Sequence, residues 1–416
     1  MDYNRMRRCI TFLLGAAAVW LLAAEVDARP DYYTSGFYTR GSDAAMYIDQ
    51  GGVLDPFYIP VQEWSFLPRV TLEATRQDDS FIAKDNEESG TSINLIPGAL
   101  LMYGRPDHNH LYTDFGVAIP VAESGGADGG NAYFITAGGV KYTGMSQIYG
   151  RVGHRRTETE DVVVGDQVES TDYTGDVGVE HRISTKTSLG ANGAVEIYDY
   201  DSDEYLNYNR YYGAGRFYHR MTEKSEVFLQ AGAGMDDLDE ELTGVYSDAT
   251  FYDLSVGLRG KPTPKTAASG RVGYRWRTYD DTSISDVSSW IANIGADTTP
   301  FGFSKFYTEL LADIRPDITK AGDSVIDKRW TTGVNRRLFT ERLRGDASVL
   351  LGNVEERGPD GTNDYDYWGF SLWLDYWTRW NLSFGAGYSF TERLNESGDT
   401  SGYESGQFML RMSWNY

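Results

Sequence analysis

The chain is nearly without cysteine, and after residue 24 it has no long apolar run. Its single thiol, Cys9, precedes the apolar stretch "ITFLLGAAAVWLLAA" at 10–24, where a lipoprotein cysteine would follow it. Disulfides, thiolate metal sites and a cysteine nucleophile are therefore excluded from the mature chain. No later segment approaches the roughly 20 apolar residues a membrane helix needs, which excludes a helical membrane protein but not a β-barrel. Positive charge is also short, with 38 Lys and Arg against 61 Asp and Glu and a net charge of −23. Such a balance argues against a nucleic-acid partner.

Proline is scarce as well: 12 residues beside 46 Gly, 30 Tyr and 10 Trp. Aromatic and glycine richness without long aliphatic runs favours strands over helices. Arg5, Arg7 and Arg8 ahead of the apolar run, with Val26 and Ala28 behind it, read as a signal peptide cut after Ala28. A cut after Ala24 and an uncleaved anchor helix are the competing readings, the latter disfavoured by the shortness of the run. The basic and acidic residues of 1–28 cancel, so the mature chain keeps the full negative charge.

Period-two alternation fills the remainder. In "GRVGYRWRTY" (270–279), Val272, Tyr274 and Trp276 share one face, and Arg271, Arg275 and Arg277 the other. "FYDLSVGLRG" separates Tyr252, Leu254, Val256 and Leu258 from Asp253, Ser255 and Arg259. The spacing predicts about eighteen strands: 67–76, 92–104, 109–121, 131–142, 146–157, 171–183, 187–199, 205–219, 225–235, 249–260, 265–279, 287–298, 302–315, 324–337, 342–355, 365–377, 380–392 and 403–416. The second and fourth alternate weakly, which leaves sixteen as the lower count.

The connections alternate too. Short ones ("YTGMSQ", "ISTKTS", "MTEKSE", "WTRW") interleave with longer acidic ones such as "TETEDVVVGDQVESTD" (157–172) and "MDDLDEELTGVYSD" (235–248). This is the pattern of an all-β, transmembrane antiparallel β-barrel, with short periplasmic turns and long acidic extracellular loops. A secreted β-sandwich array or propeller is the competing fold, and neither alternates its connections in this way. The domain reading is a signal peptide at 1–28, a segment at 29–66 and a barrel at 67–416. The middle segment has no clean period. A periplasmic lead-in is the favoured reading, beside a plug or an additional strand pair.

The last strand places Phe408, Leu410, Met412, Trp414 and Tyr416 on the lipid side, the pattern of an outer-membrane insertion signal. The opposite faces assign a pore lining: Arg259, Arg271, Arg275, Arg277, Lys305, Glu309, Asp313, Arg329, Arg342, Arg344, Asp346, Trp373, Asp375 and Arg411, with Asp253 beside them. Arg or Lys facing lipid costs about 2–4 kcal/mol at the midplane, which favours the lumen. The arginines either guide anionic solutes or pair with acids on neighbouring strands. Tyr208, Tyr212, Tyr307 and Trp373 either stack sugar rings or pack within the wall.

Catalytic and metal motifs are not evident. The histidines are His108, His110, His154, His181 and His219, without zinc-site spacing. "DYDSDE" (199–204) lacks the glycine and distal glutamate of an EF-hand, so its carboxylates read as surface charge. The sequence implies no cofactor, no metal and no catalysis.

Segments such as "SVGLRGKPTPKTAASGRVGYRWRTYDD" and "YDYWGFSLWLDYWTRWNLSFGAGYSFTERLNES" repeat one plan: strand, Thr/Lys/Arg/Pro turn, Gly-bearing strand, Tyr/Asp-rich loop. Over residues 67–416 this resembles the second of the putative β-barrel porin families. The resemblance implies an outer-membrane barrel, with exopolysaccharide export in some members and no catalytic residues. Outer-membrane lipid, lipopolysaccharide beside the acidic loops and the barrel-assembly machinery are the expected partners, and the resemblance adds polysaccharide-export components. The expected function is an outer-membrane channel. The alternatives are a plugged structural or adhesive barrel and an enzyme working at the loop rim. N-terminal sequencing of the protein recovered from outer membranes should begin at Arg29; a start at Met1 would refute the cleavage.

Overall fold

The structure, a computed structural model, describes residues 64–415 apart from 81–86, 105–108, 126–131, 162–165, 203–204, 239–247, 282–283, 320–322, 359–360, 379 and 396–402. The signal peptide, the 29–63 part of the lead-in, His108 and Tyr416 lie outside the described residues.

Among the described residues all the regular structure is strand. The first half comprises β1 (Trp64–Ser80), β2 (Glu87–Gly104), β3 (His110–Val117), β4 (Ile119–Gly125), β5 (Tyr133–Thr143), β6 (Ser146–Asp161), β7 (Asp166–Arg182), β8 (Thr187–Tyr200), β9 (Tyr208–Arg220) and β10 (Ser225–Leu238). Then follow β11 (Ala249–Thr263), β12 (Thr266–Tyr279), β13 (Val287–Phe301), β14 (Ser304–Pro316), β15 (Ser324–Leu338), β16 (Leu343–Gly358), β17 (Gly361–Trp377), β18 (Leu382–Asn395) and β19 (Tyr403–Asn415). The short β3 and β4 are one stave interrupted at Ala118; both pair with β2, and Pro120, which has no N–H to give the ladder, faces Asn94 beside a bulge. The nineteen segments thus make eighteen staves.

Sequential neighbours pair antiparallel throughout, and β1 pairs with β19 from Arg69↔Asn415 to Ser80↔Glu404. The sheet therefore closes. Closure matters because no water is available at membrane depth to satisfy an open edge. Observed strands match the expected ones closely and run longer at the loop end. Much of the acidic 157–172 stretch, expected as loop, is ladder: β6 and β7 stay in register out to Asp161↔Asp166.

Side chains sort by parity. On β11 the outward set includes Leu254 (49% exposed) and Val256 (60% exposed). Phe408, Leu410, Met412 and Trp414 of β19 are likewise exposed. At the short-turn end Phe303, Phe339 and Trp380 project from the connections, with Phe339 fully exposed; Trp276 and Trp290 are exposed nearer the loop end. An apolar band between aromatic rims suits hydrocarbon between two interfaces. The inward set makes contacts that skip staves: Arg259 of β11 reaches Glu180 of β7 at 2.8 Å, which is possible only through the interior.

Val256→Arg should destabilise the barrel by about 2–4 kcal/mol. The inward neighbour Ser255 tolerates polar change better by the same parity. Urea titration in lipid vesicles, followed by tryptophan fluorescence, compares the two.

Candidate functional site

The interior narrows at the long-loop end, and one hairpin is responsible. β14 and β15 stay paired up to Pro316↔Ser324, and β12 and β13 stay paired up to Arg277↔Val287. Between β13 and β14, however, pairing stops at Ala292↔Ala312. Above that point the β14–β15 tip turns inside the β12–β13 edge and into the mouth, while β15 keeps its ladder with β16 up to Ser324↔Arg357.

Three apolar clusters hold it there. Ile314 and Ile326 are 1% and 0% exposed and pack with Ala249, Tyr279, Ile284, Val287 and Ile291. Ile318 joins Val168, Tyr198, Leu206, Tyr208 and Leu238. Val325 packs on Val354, Tyr365 and Tyr367. Polar contacts accompany the packing. The N–H of Leu206 donates to the Ile318 carbonyl at 2.7 Å, which joins the 201–207 loop to the hairpin. Arg275 and Arg210 donate to the Ile314 carbonyl at 3.4 and 3.5 Å. Tyr279 and Ser324 share a hydroxyl–hydroxyl bond. Across the gap in the wall, Arg357 of β16 donates to the Ser288 carbonyl of β13 at 3.4 Å.

Beneath the hairpin lies a charged layer. Asp236 accepts from Arg210 at 2.7 Å and pairs with Arg277, which is 1% exposed. Arg275 pairs with Asp313 at 2.5 Å and lies 3.8 Å from Asp253; Arg271 lies 3.9 Å from the same carboxylate. Tyr212 and Gln230 complete the layer, with Gln230 Nε2 donating to the Tyr212 hydroxyl at 2.8 Å. The rings lie among the cations too: Arg275 stands 4.7 Å and Arg210 5.6 Å from the Phe251 centroid.

A second zone lies toward the short-turn end. Arg259 bridges Glu180 and Glu226 and stacks 4.1 Å from the Tyr218 ring. Tyr307 donates to Asp346 at 3.1 Å, and Lys305 lies 3.5 Å from Asp297. Arg411 pairs with Asp375 at 3.3 Å and stacks 4.8 Å from Trp373. The Trp373 ring occupies the space over Gly387, where a methyl group would overlap it. Arg344 stands opposite Asp375 in the β16–β17 register. Glu309 shares the inward parity of Tyr307 and is exposed, and Arg329 stands opposite Gly352, the residue that the inward Tyr367 ring covers.

The sequence-assigned residues thus divide between the two zones, with one departure. Arg342 lies in the turn between β15 and β16 and lines no strand face, because the chain there reverses through Phe339–Arg342. Of the four tyrosine and tryptophan positions, Tyr208 and Tyr212 sit in the mouth, and Tyr307 and Trp373 in the second zone. Sequence reasoning placed Asp236 in an acidic loop, whereas it lies on the inward face of β10, one inward position before Leu238, and is buried between two guanidinium groups. Its parity with Gln230 was the available signal. Of the histidines, His154 lies between the rings of Tyr133 and Tyr173, centroids 5.0 and 4.3 Å away. Among the described residues no group of three or more His, Cys, Asp or Glu is placed to hold a metal.

The closed ladder and the apolar exterior define a transmembrane-type β-barrel. No family model matches the chain, and no curated protein sequence matches it. Solved structures with a similar fold include OpdO of Pseudomonas aeruginosa, 12% identical, TM-score 0.47, covering 86% of this chain and 98% of that one. OccAB2 of Acinetobacter baumannii is 10% identical, TM-score 0.43, with 85% and 98% covered. The FrpB iron transporter of Neisseria meningitidis (F5-1 variant) is 11% identical, TM-score 0.44, with 80% of this chain covered; this chain spans 63% of its length. The class rests on the ladder and the exterior, not on these likenesses.

Asp236→Ala leaves two buried guanidinium groups facing each other, and removing one partner of such a pair costs about 3–5 kcal/mol. Urea unfolding of the variant should show that loss. A change under about 1 kcal/mol would place the group in a solvated setting instead.

Proposed function

We propose that the protein is an outer-membrane channel for small polar solutes, narrowed at its outer mouth by the β14–β15 hairpin. The observation that carries this is the pairing of a lipid-type exterior with a charged interior in a closed wall of eighteen staves. Barrels of sixteen to eighteen strands are wide enough to enclose an aqueous path. Interior charges that stay accessible, namely Lys305, Asp297 and Asp313, favour a polar passenger. The pore-lining role of the assigned residues, the insertion role of the β19 aromatics and the partnership with lipopolysaccharide belong to this reading.

Exopolysaccharide export, which the family resemblance implies, needs a broad path for a polymer. The inward hairpin and its three apolar clusters favour the small solute. A plugged structural barrel is the second reading, and the same packed mouth is what favours it.

Reconstitution in planar bilayers separates the two. The channel reading expects discrete conductance steps. Replacing residues 314–326 by Asn-Gly, the favoured two-residue hairpin turn, should enlarge them. Silence from both proteins, once each has shown the heat-dependent gel shift of a folded barrel, would favour the plug.

A further inference from the structure

The hairpin carries a pattern that its inward position does not use. Extending the β13–β14 register past Ala292↔Ala312 sets Asp313 opposite Ile291, Ile314 opposite Trp290 and Pro316 opposite Ser288. In that extension Ile314 joins Leu310 and Ala312 on the face of Trp290, which is 66% exposed and points outward. Ile326, cross-strand from Ile314 in β15, joins the same face. Asp313 and Arg315 keep the inward parity. The tip thus has the alternation of a wall segment, apolar toward lipid and charged toward the lumen, although it sits inside.

We infer that the β14–β15 tip is a gate with two positions: folded inward, which closes the mouth, and upright in the wall, zipped onto Val287–Ile291, which opens it. Both positions satisfy the same groups by different means. Inward, Ile314 and Ile326 are buried against Tyr279, Val287 and Ile291, and the Ile314 carbonyl accepts from Arg210 and Arg275. Upright, the isoleucines face hydrocarbon, and the β13 edge gains the ladder partners that an unpaired edge at membrane depth lacks. Neither state leaves the apolar pair in water, so burial of that pair does not by itself hold the tip in one position. Pro316, which has no N–H, sits at the end of the extension, where a missing donor interrupts least.

Opening breaks the Leu206–Ile318 backbone bond, the Tyr279–Ser324 hydroxyl pair, the Arg357–Ser288 strap and the Arg210 and Arg275 bonds to the Ile314 carbonyl, and it takes Ile314, Ile318 and Ile326 out of their apolar clusters. The strap is incompatible with an upright tip, because Arg357 crosses the space the tip would fill. The inference rests on the channel reading for its consequence, but the movement itself is tested without it.

Two cysteine pairs in the full-length chain decide the matter. Leu206→Cys with Ile318→Cys joins positions that are neighbours only when the tip is inward. Trp290→Cys with Ile314→Cys joins side chains that share a face only when the tip is upright, since a disulfide requires close Cα atoms and converging Cβ directions. Each folded protein is oxidised in lipid, scored for cross-linking and then recorded in planar bilayers. The inference expects both pairs to cross-link. It expects conductance to fall with the first and rise with the second, and both shifts to reverse under reductant. Cross-linking of the first pair alone would overturn it, as would a cross-linked second pair with unchanged conductance. Should a cysteine pair fail to assemble, Arg357→Ala removes the strap and should raise the fraction of time spent in the larger conductance state. Unaltered gating in that variant would overturn the inference. A barrel silent in every variant, yet cross-linking at both pairs, would leave the hinge standing and sink the channel.

Discussion

Every part of this molecule depends on its backbone hydrogen-bond ladder being closed. A strand edge in hydrocarbon has no water to turn to, and each orphaned amide or carbonyl there costs several kcal/mol. Closure through β1 and β19 removes the edges, and with that settled the period-two pattern does the remaining work: one face is free to be apolar without a core behind it, and the other is free to carry charge. The interior ion pairs follow from this freedom. Arg210 of β9, Asp236 of β10 and Arg277 of β12 interact where an isolated buried charge would be intolerable.

The ladder between β13 and β14 fails above Ala292 and Ala312, and the mouth of the barrel is organised around that failure. The tip that leaves the wall supplies Ile318 to one apolar cluster, Ile314 and Ile326 to a second and Val325 to a third. Guanidinium groups cover the backbone exposed by the departure, from inside through Arg210 and Arg275 and over the gap through Arg357. Arginine suits this task because its planar fork reaches several acceptors while it stays charged. Of these three arginines only Arg275 reads in the sequence as pore lining; Arg210 and Arg357 show their part only in the fold.

Much of the architecture was legible because alternation is a direct record of two solvents. The strands, their faces and the even count of staves followed from it, as did the inward parity of Arg271, Arg275 and Arg277 on β12. Alternation also has a blind spot, and Ile314 and Ile326 fall in it. It separates an apolar face from a polar one, but it cannot say whether the apolar face meets lipid or another part of the protein. Asp236 was hidden differently: it stands beside Asp237 at the head of an acidic run, so composition masked its parity. The interior aromatics were visible as residues but not as packing. That Trp373 lies across Gly387 and Tyr367 across Gly352 depends on register, which pairs a ring with a vacancy on the adjoining strand.

The pairing of the first stave with the last has a kinetic meaning. Thr71 and Ser413 bond hydroxyl to hydroxyl over a separation of 342 residues. Contacts so distant along the chain are slow to form, and the loop entropy must be surrendered before they give anything back. Until β19 arrives, β1 presents a naked edge to any partner of similar pattern, including another nascent copy. Assembly is thus a race between cyclisation and intermolecular association, and the pairing of β19 with β1 decides its outcome.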